Sequence, residues 1–128
     1  MTEKKRIVVI GGGFGGLNLL KHINKKKYDV LLIDRNNYHS FPPLFYQIAS
    51  SGLDPGSISF PFRRELRKGK VKGAHFNMGD VKSIDFSKKE ITTQYDKIPY
   101  DILVIAAGTT NNFFGIEGLK EQVYTLKS

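Results

Sequence analysis

The residues best suited to chemistry are three glycines near the start of the chain. Gly11, Gly13 and Gly16 fit the spacing G-x-G-x-x-G within the stretch RIVVIGGGFGGLNLL. In such a turn the first glycine allows a tight bend, the second lets the backbone approach a pyrophosphate, and the third lets a helix pack closely on a strand. Backbone amides at the start of the helix then face the phosphates, where the helix dipole favours negative charge. The pattern predicts a dinucleotide-binding turn.

An acidic residue follows this turn at the expected distance. Asp34 lies 18 residues after Gly16, where a carboxylate accepts hydrogen bonds from the adenosine ribose and repels a 2′-phosphate. Arg35 comes next and leaves two interpretations open. It is either an exposed arginine near the adenine edge, which the presence of Asp34 favours, or a contact for a 2′-phosphate.

The elements that must position these residues form a strand-helix-strand unit. The apolar run 6–10 predicts a buried strand, and the spacing of Leu17, Leu20 and Ile23 predicts a helix over 14–26. The unbroken apolar run within 28–34 predicts a second strand, of the kind found in parallel sheets covered on both faces. Asp34 would therefore end the second strand beside the glycine turn.

Further elements follow a long polar region. The sequence predicts a short helix over 44–50, a helix capped by Ser59 and ending at Gly69, a third parallel strand over 74–78, a hairpin or small meander over 81–85 and 90–93, and a strong last strand over 101–106. The predicted fold class is α/β, with a parallel sheet, helices and a small β-meander or hairpin insert.

Composition narrows the class of protein. The chain has 128 residues, 40% of them hydrophobic, and no cysteine. One ordinary globular domain fits this length, and disulfides, thiolate metal sites and cysteine nucleophiles are excluded within it. The three histidines, His22, His39 and His75, do not have metal-ligand spacing, so no metal site is predicted and satisfied or surface histidines are favoured.

The chain is basic, with a formal net charge of +8. The clustered cations are Lys4, Lys5, Arg6, Lys25, Lys26, Lys27, Arg63, Arg64, Arg67, Lys68, Lys70 and Lys72. A solvated face is the first interpretation of such runs, and attraction to an anionic membrane surface is the second. Nucleic acid is not predicted as a partner, because no basic motif interleaved with aromatic residues is present.

Two later stretches carry a resemblance to known proteins. The strand ending in Ala106, Ala107 and Gly108 resembles the second fingerprint of flavoproteins with two dinucleotide-binding domains, as in the glutathione reductase superfamily. The stretch FPPLFYQIA, 41–49, resembles type II NADH dehydrogenase, the NADH:quinone oxidoreductase that does not pump protons. Pro42 stands where many members have glutamine, and Phe45 where leucine is common.

The resemblance implies a Rossmann-like FAD-binding domain and assigns residues to it. The implied cofactor-binding residues are Gly11, Gly13, Phe14, Gly15, Gly16, Asp34, Arg35, Val81, Ala106, Ala107 and Gly108. Pro43, Leu44 and Gln47 are implied neighbours of the flavin or the quinone, and a rigid Pro-Pro turn with Phe45 and Tyr46 in the core is the structural alternative. No catalytic side chain is assigned, because the flavin itself carries out the electron transfer.

The resemblance also implies what the chain is part of. Residues 1–128 are expected to be the N-terminal portion of an FAD-binding domain whose NADH domain and C-terminal segment lie further on, and to be inactive and hold FAD weakly alone. The parent is expected to pass electrons from NADH through FAD to a membrane quinone, as a peripheral protein on the inner face of the cytoplasmic membrane.

Alternatives remain for both the parent and the piece. The parent could be a sulfide:quinone or ferredoxin-type reductase, or the chain could be a separate nucleotide-binding module. An unpaired strand at the sheet edge would favour self-association of the soluble piece.

Overall fold

The chain folds into alternating strands and helices. The computed structural model describes residues 3–54, 56, 59–69 and 71–125. In chain order the elements are β1 (Arg6–Ile10), α1 (Phe14–His22), β2 (Asp29–Asp34), β3 (Tyr38–Ser40), a 3-10 turn (Pro42–Leu44), α2 (Phe45–Ala49), β4 (Ser59–Pro61), α3 (Phe62–Lys68), β5 (His75–Met78), β6 (Val81–Asp85), β7 (Glu90–Thr93), β8 (Lys97–Pro99), β9 (Ile102–Ile105) and α4 (Leu119–Gln122).

A parallel sheet with the strand order β5-β2-β1-β9 lies at the centre of the fold. In the middle of β1, Val8 is paired with Leu31 on one side and Leu103 on the other. These strands are short apolar runs, as expected where both faces of a parallel sheet are covered. The predicted α/β class and strand-helix-strand unit are confirmed.

Side chains that alternate along β1 and β2 separate two hydrophobic cores. Ile7, Val9, Val30 and Leu32 point to one face, where they pack with residues of α1 and α3. Val8 points to the other face and packs against the three-stranded antiparallel sheet β6-β7-β8. The predicted insert is therefore a meander, and it covers the face of the sheet opposite the helices.

Helix α1 is shorter than predicted. It ends at His22, and Ile23 has an extended backbone with ψ of 135°. The carbonyl of Asn24 accepts hydrogen bonds from the amides of Lys27 and Tyr28, and its side chain accepts one from Lys26. Asparagine readily forms such local turns, which compete with the helix. The prediction of a helix to residue 26 was therefore wrong by one turn.

The region between β2 and α3 contains a strand pair that the sequence did not predict. β3 and β4 are antiparallel, with His39 opposite Phe60. Ser59 lies in β4, so its prediction as a helix cap was wrong, and Pro61 is the residue that precedes α3. Gly69 ends α3 as predicted.

The carboxyl ends of the four parallel strands lie along one edge of the sheet, which is where α/β proteins bind ligands. The turn after β1, Asp34 at the end of β2 and Ala106 after β9 all lie there. Within the described residues, no helix is both long enough and apolar enough to cross a membrane.

Candidate functional site

The turn between β1 and α1 has a backbone that only glycine can form at its first position. Gly11 has φ of +100°, and a Cβ there would overlap the carbonyl oxygen of Ala106. Its amide donates to the carbonyl of Ile33 at 2.8 Å. Both the left-handed backbone and the close approach of β9 exclude a side chain at this residue.

The other two fingerprint glycines differ in their surroundings. A Cβ at Gly16 would overlap the carbonyl oxygen of Gly11, so this glycine lets α1 pack closely against the turn. A Cβ at Gly13 would meet nothing within 4 Å. Gly13 therefore has open space beside its backbone, at the amino terminus of α1, where an anion would be favoured.

Asp34 is connected to the turn by its side chain. One carboxylate oxygen accepts a hydrogen bond from the Gly12 amide at 2.7 Å, and the other accepts one from the Asn36 amide at 2.8 Å. The side chain is partly exposed, and a carboxylate has about four acceptor positions. Asp34 therefore holds the turn and retains capacity for ribose hydroxyls.

The end of the strand that resembles the second fingerprint lies next to the glycine turn. The Ala106 amide donates to the carbonyl of Ile10 at 2.7 Å, and a Cβ at Gly15 would lie 3.9 Å from the Ala106 methyl group. Ala107 and Gly108 follow on the surface, with Gly108 in the left-handed region at φ of +74°. Residues almost a hundred positions apart are thus neighbours at one sheet edge.

Phe14 brings the region 41–49 beside the turn. Its ring is half exposed and contacts Phe41 edge-on, with ring centroids 5.3 Å apart. The 3-10 turn and α2 confirm the predicted short helical region, but none of their residues is fully buried. Tyr46 is 58% exposed, so the alternative in which it belongs to the core is wrong.

Pro43, Leu44 and Gln47 lie in this short helical region. Pro43 is exposed and Leu44 is half-buried. The Gln47 side-chain amide donates to the Tyr46 hydroxyl at 3.0 Å. Their assignment as neighbours of a flavin or quinone stays a prediction.

Arg35 and Val81 flank the same edge. Arg35 is exposed, and Val81 begins β6 half-buried against the meander-side core. The Lys82 ammonium, which donates to Asp80 at 2.8 Å, lowers the pKa of Asp80 below its ordinary value, and the charge of Arg35 lowers it further. Arg35 is thus near Asp80 in solvent, and contacts of Arg35 and Val81 with adenine stay predictions.

Three features of the site were not predicted. Gly12 is buried against the Phe62 ring, which a Cβ at Gly12 would overlap. His39 lies in β3, is only 7% exposed and bonds through Nδ1 to the Gly12 carbonyl at 2.8 Å. The side-chain oxygen of Asn37 is buried without a hydrogen-bond partner among the described residues. Sequence spacing gives no signal for these contacts, because long-range packing creates them.

His22 and His75 are surface histidines, which agrees with the prediction of surface or satisfied histidines. His22 Nδ1 lies 2.7 Å from the carbonyl of Asn18, and His75 Nε2 lies 3.8 Å from the Asp29 carboxylate. Within the part of the chain that the structure describes, no group of three or more histidine or acidic side chains is arranged to hold a metal ion. Lys70, one of the clustered cations, lies outside the described residues.

A cavity of about 530 Å³ opens at the opposite end of the sheet. Three of its charged lining residues are paired with one another: Arg6 Nε donates to Asp29 at 2.7 Å, and the Arg6 amide donates to Asp101 at 2.7 Å. These contacts connect the starts of β1, β2 and β9, so this cavity has a structural explanation.

Comparison with known proteins agrees with this geometry. Residues 5–128 match the sequence profile of the pyridine nucleotide-disulphide oxidoreductase family. A type II NADH:quinone oxidoreductase of Mycobacterium tuberculosis is 36% identical over 130 residues, which cover 98% of this chain and 28% of the relative.

Two solved structures are similar as well. A Plasmodium falciparum NDH2 in complex with NADH has a TM-score of 0.83 and 32% identity, and the match covers 93% of this chain and 25% of the NDH2 chain. The Aquifex aeolicus sulfide:quinone oxidoreductase has a TM-score of 0.82 and 35% identity, and the match covers 91% of this chain and 27% of the Aquifex chain. The chain thus spans about a quarter of the length of these proteins.

Proposed function

The chain belongs to the pyridine nucleotide-disulphide oxidoreductase family, and from this premise we propose that residues 1–128 are the N-terminal, FAD-binding portion of a type II NADH:quinone oxidoreductase. The relatives named for this activity cover nearly the whole chain. The expected NADH domain and C-terminal segment belong to the same proposal.

One observation carries the proposal: the Gly12 amide donates to Asp34 within a glycine turn whose outer side is open at Gly13. The residues present fit an adenine dinucleotide. Backbone amides at the start of α1 bind the pyrophosphate, and the Asp34 carboxylate accepts the ribose hydroxyls. The negative charge of Asp34 disfavours a cofactor with a 2′-phosphate.

FAD is favoured over a nicotinamide dinucleotide by the position of Ala106. This residue directly follows β9 and lies beside Gly11 and Gly15. The stretch that resembles the second fingerprint is therefore next to the glycine turn. When bound, FAD supplies hydride acceptance and electron transfer, and the protein positions the cofactor and tunes its electronics. The chain's own residues therefore bind and orient rather than react.

The proposal extends to the quinone that accepts the electrons and to the membrane at which the parent protein acts. Phe41 contacts Phe14, and Pro43, Leu44 and Gln47 follow Phe41 in the 3-10 turn and α2. We assign these three residues to the flavin and quinone side. The parent acts on a membrane quinone as a peripheral protein of the inner face of the cytoplasmic membrane. The exposed cations of α3 support this location by attraction to anionic lipid.

FAD titration of the purified chain, followed by flavin fluorescence, tests the cofactor assignment. We expect saturable, weak binding that ADP displaces and FMN does not, because the turn and Asp34 recognise the adenosine half. Asp34→Ala should weaken FAD binding by about tenfold or more through the lost ribose bonds and the released Gly12 amide. Asp34→Asn is the matched control: it keeps an acceptor for Gly12 but loses the charge.

The variants have distinct contradicting outcomes. Unchanged FAD affinity in Asp34→Ala would overturn the ribose assignment. Displacement by FMN as strong as by ADP would place the binding site elsewhere. For Asp34→Asn, discrimination against a 2′-phosphorylated ADP should relax while the fold is kept.

A second candidate, sulfide:quinone oxidoreductase, is favoured by the 35% identity to the Aquifex enzyme. The two functions differ in electron donor. In the complete enzyme, bleaching of the flavin by NADH with recovery on adding a quinone supports the first function. Bleaching by sulfide but not NADH supports the second.

A further inference from the structure

Two consecutive glycine-glycine peptides form the predicted phosphate-binding turn. Glycine has the widest backbone freedom, so the residues on either side of the Gly12–Gly13 peptide do little by themselves to fix its orientation. Two side chains hold Gly12. Asp34 accepts from its amide at 2.7 Å, and His39 Nδ1 lies 2.8 Å from its carbonyl oxygen.

His39 is itself held rigidly. It is 7% exposed and paired with Phe60 across the β3-β4 ladder. Its ring lies 5.0 Å from the Phe60 ring and 5.3 Å from the Phe14 ring, centroid to centroid. Because a carbonyl oxygen can only accept, the bond to Gly12 requires the proton on Nδ1 of His39.

The bond from His39 to the Gly12 carbonyl also fixes the direction of the Gly13 amide. Every peptide bond among the described residues is trans, so the Gly12 carbonyl and the Gly13 amide hydrogen point in opposite directions. The carbonyl points inward to the buried His39, and the amide therefore points outward. Gly13 is exposed, and a Cβ there would meet nothing within 4 Å, so the residue has room for a ligand beside it.

We propose that His39 is a positioning residue for the cofactor: it fixes the Gly12–Gly13 peptide so that the Gly13 amide faces the pyrophosphate. The inference rests on the proposed function, because the phosphate is the expected partner of that amide. Without the His39 donor, the carbonyl could turn outward and present a partial negative charge to the phosphate. His39 thus acts on affinity through Gly12 and need not touch the cofactor.

Two matched variants separate this role from simple packing. His39→Asn keeps a donor close to the position of Nδ1 but loses the ring, whereas His39→Phe keeps the ring and loses the donor. We expect His39→Phe to weaken FAD binding by about tenfold, because the Gly12 carbonyl loses the donor that holds it away from the phosphate. His39→Asn should keep the affinity within about threefold even where its thermal midpoint falls.

A packing role predicts the opposite ranking, with the phenylalanine variant binding FAD like the unmodified chain and the asparagine variant binding poorly. That ranking would overturn the proposal. Failure of the unmodified chain to bind FAD is a different result, since it contradicts the proposed function and not the role of His39 in the turn.

A measurement without flavin keeps the inference testable if either variant fails to fold. The ¹⁵N shifts of the His39 ring in the unmodified chain should show a protonated Nδ1. The tautomer with the proton only on Nε2 would contradict the proposal. In folded His39→Phe, the Gly13 amide signal should broaden or shift as the peptide samples both orientations, and a signal unchanged from that of the unmodified chain would contradict it.

Discussion

The glycine turn at residues 11–16 and the region 41–49 are neighbours that are held in different ways. The turn is fixed by hydrogen bonds to β2 and β3, which are far away in the chain, and by the close approach of Ala106, which follows β9. Among the described residues, the hydrogen bonds of 41–49 stay within residues 41–53. Its tie to the turn is the aromatic contact between Phe41 and Phe14.

This difference separates the two halves of the proposed function. Hydrogen bonds within the chain hold the peptides of the turn in place, and this is the arrangement that we propose for recognition of the adenosine and pyrophosphate. The region 41–49 leaves Phe41 and Tyr46 exposed, so it is a surface for further contacts. Cofactor recognition can therefore be tested on this chain, whereas flavin and quinone contacts need the complete enzyme.

The largest effect is expected at Gly11. In Gly11→Val the side chain would overlap the Ala106 carbonyl. The backbone of the new residue would also have to keep φ of +100°, which valine strongly disfavours. We expect a loss of about 3 kcal/mol or more in the free energy of unfolding, or failure to fold. Chemical denaturation followed by circular dichroism measures it. A loss under about 1 kcal/mol would show that the turn is less rigid than described.

Gly13→Ala should affect FAD binding more than stability, in contrast to Gly11→Val in the same turn. A methyl group at Gly13 has open space, so stability should change by less than about 1 kcal/mol. The same methyl would occupy the approach of the pyrophosphate, and FAD affinity should fall by about tenfold. Calorimetry and flavin fluorescence measure the two quantities. Unchanged affinity would mean that phosphate does not approach here.

Tyr46→Ala tests the second region and should have little effect. The side chain is 58% exposed, so the free energy of unfolding should change by about 0.5 kcal/mol or less. ADP affinity should stay within about twofold, since this region is assigned to the other half of the cofactor. A clear loss of ADP affinity would show that the region 41–49 and the glycine turn are coupled, and would contradict their separate roles.

The smallest effect concerns Asp80, which lies near Lys82 and Arg35. The Lys82 ammonium lowers its pKa in the folded state, so the stabilisation from this pair is present above the ordinary carboxyl pKa and is lost as pH falls through the lowered value. Lys82→Ala should raise the Asp80 pKa towards its ordinary value, as followed by NMR titration. ADP affinity should not change, and a pKa left in place would exclude Lys82 as the main cause.

The sequence predicted those parts of the molecule that depend on local pattern. Buried strands show as apolar runs, and glycine spacing indicates a tight turn between a strand and a helix, so β1, β2 and the turn were predicted correctly. The three-residue strands β3 and β4 were not, because they exist only through pairing between Tyr38 and Pro61 across a long loop. The contact of His39 with Gly12 depends on that pairing, and so spacing alone could not reveal it.

Binding of FAD at the glycine turn is tested most directly by an amide NMR titration of the ¹⁵N-labelled chain with FAD. We expect the signals of Gly12, Gly13 and the first turn of α1 to shift in a saturable manner, together with those near Asp34. ADP should produce the same shifts at these residues, and residues near the cavity at Arg6 and Asp101 should not respond. Saturating FAD that leaves the glycine-turn amides unmoved would contradict the assignment.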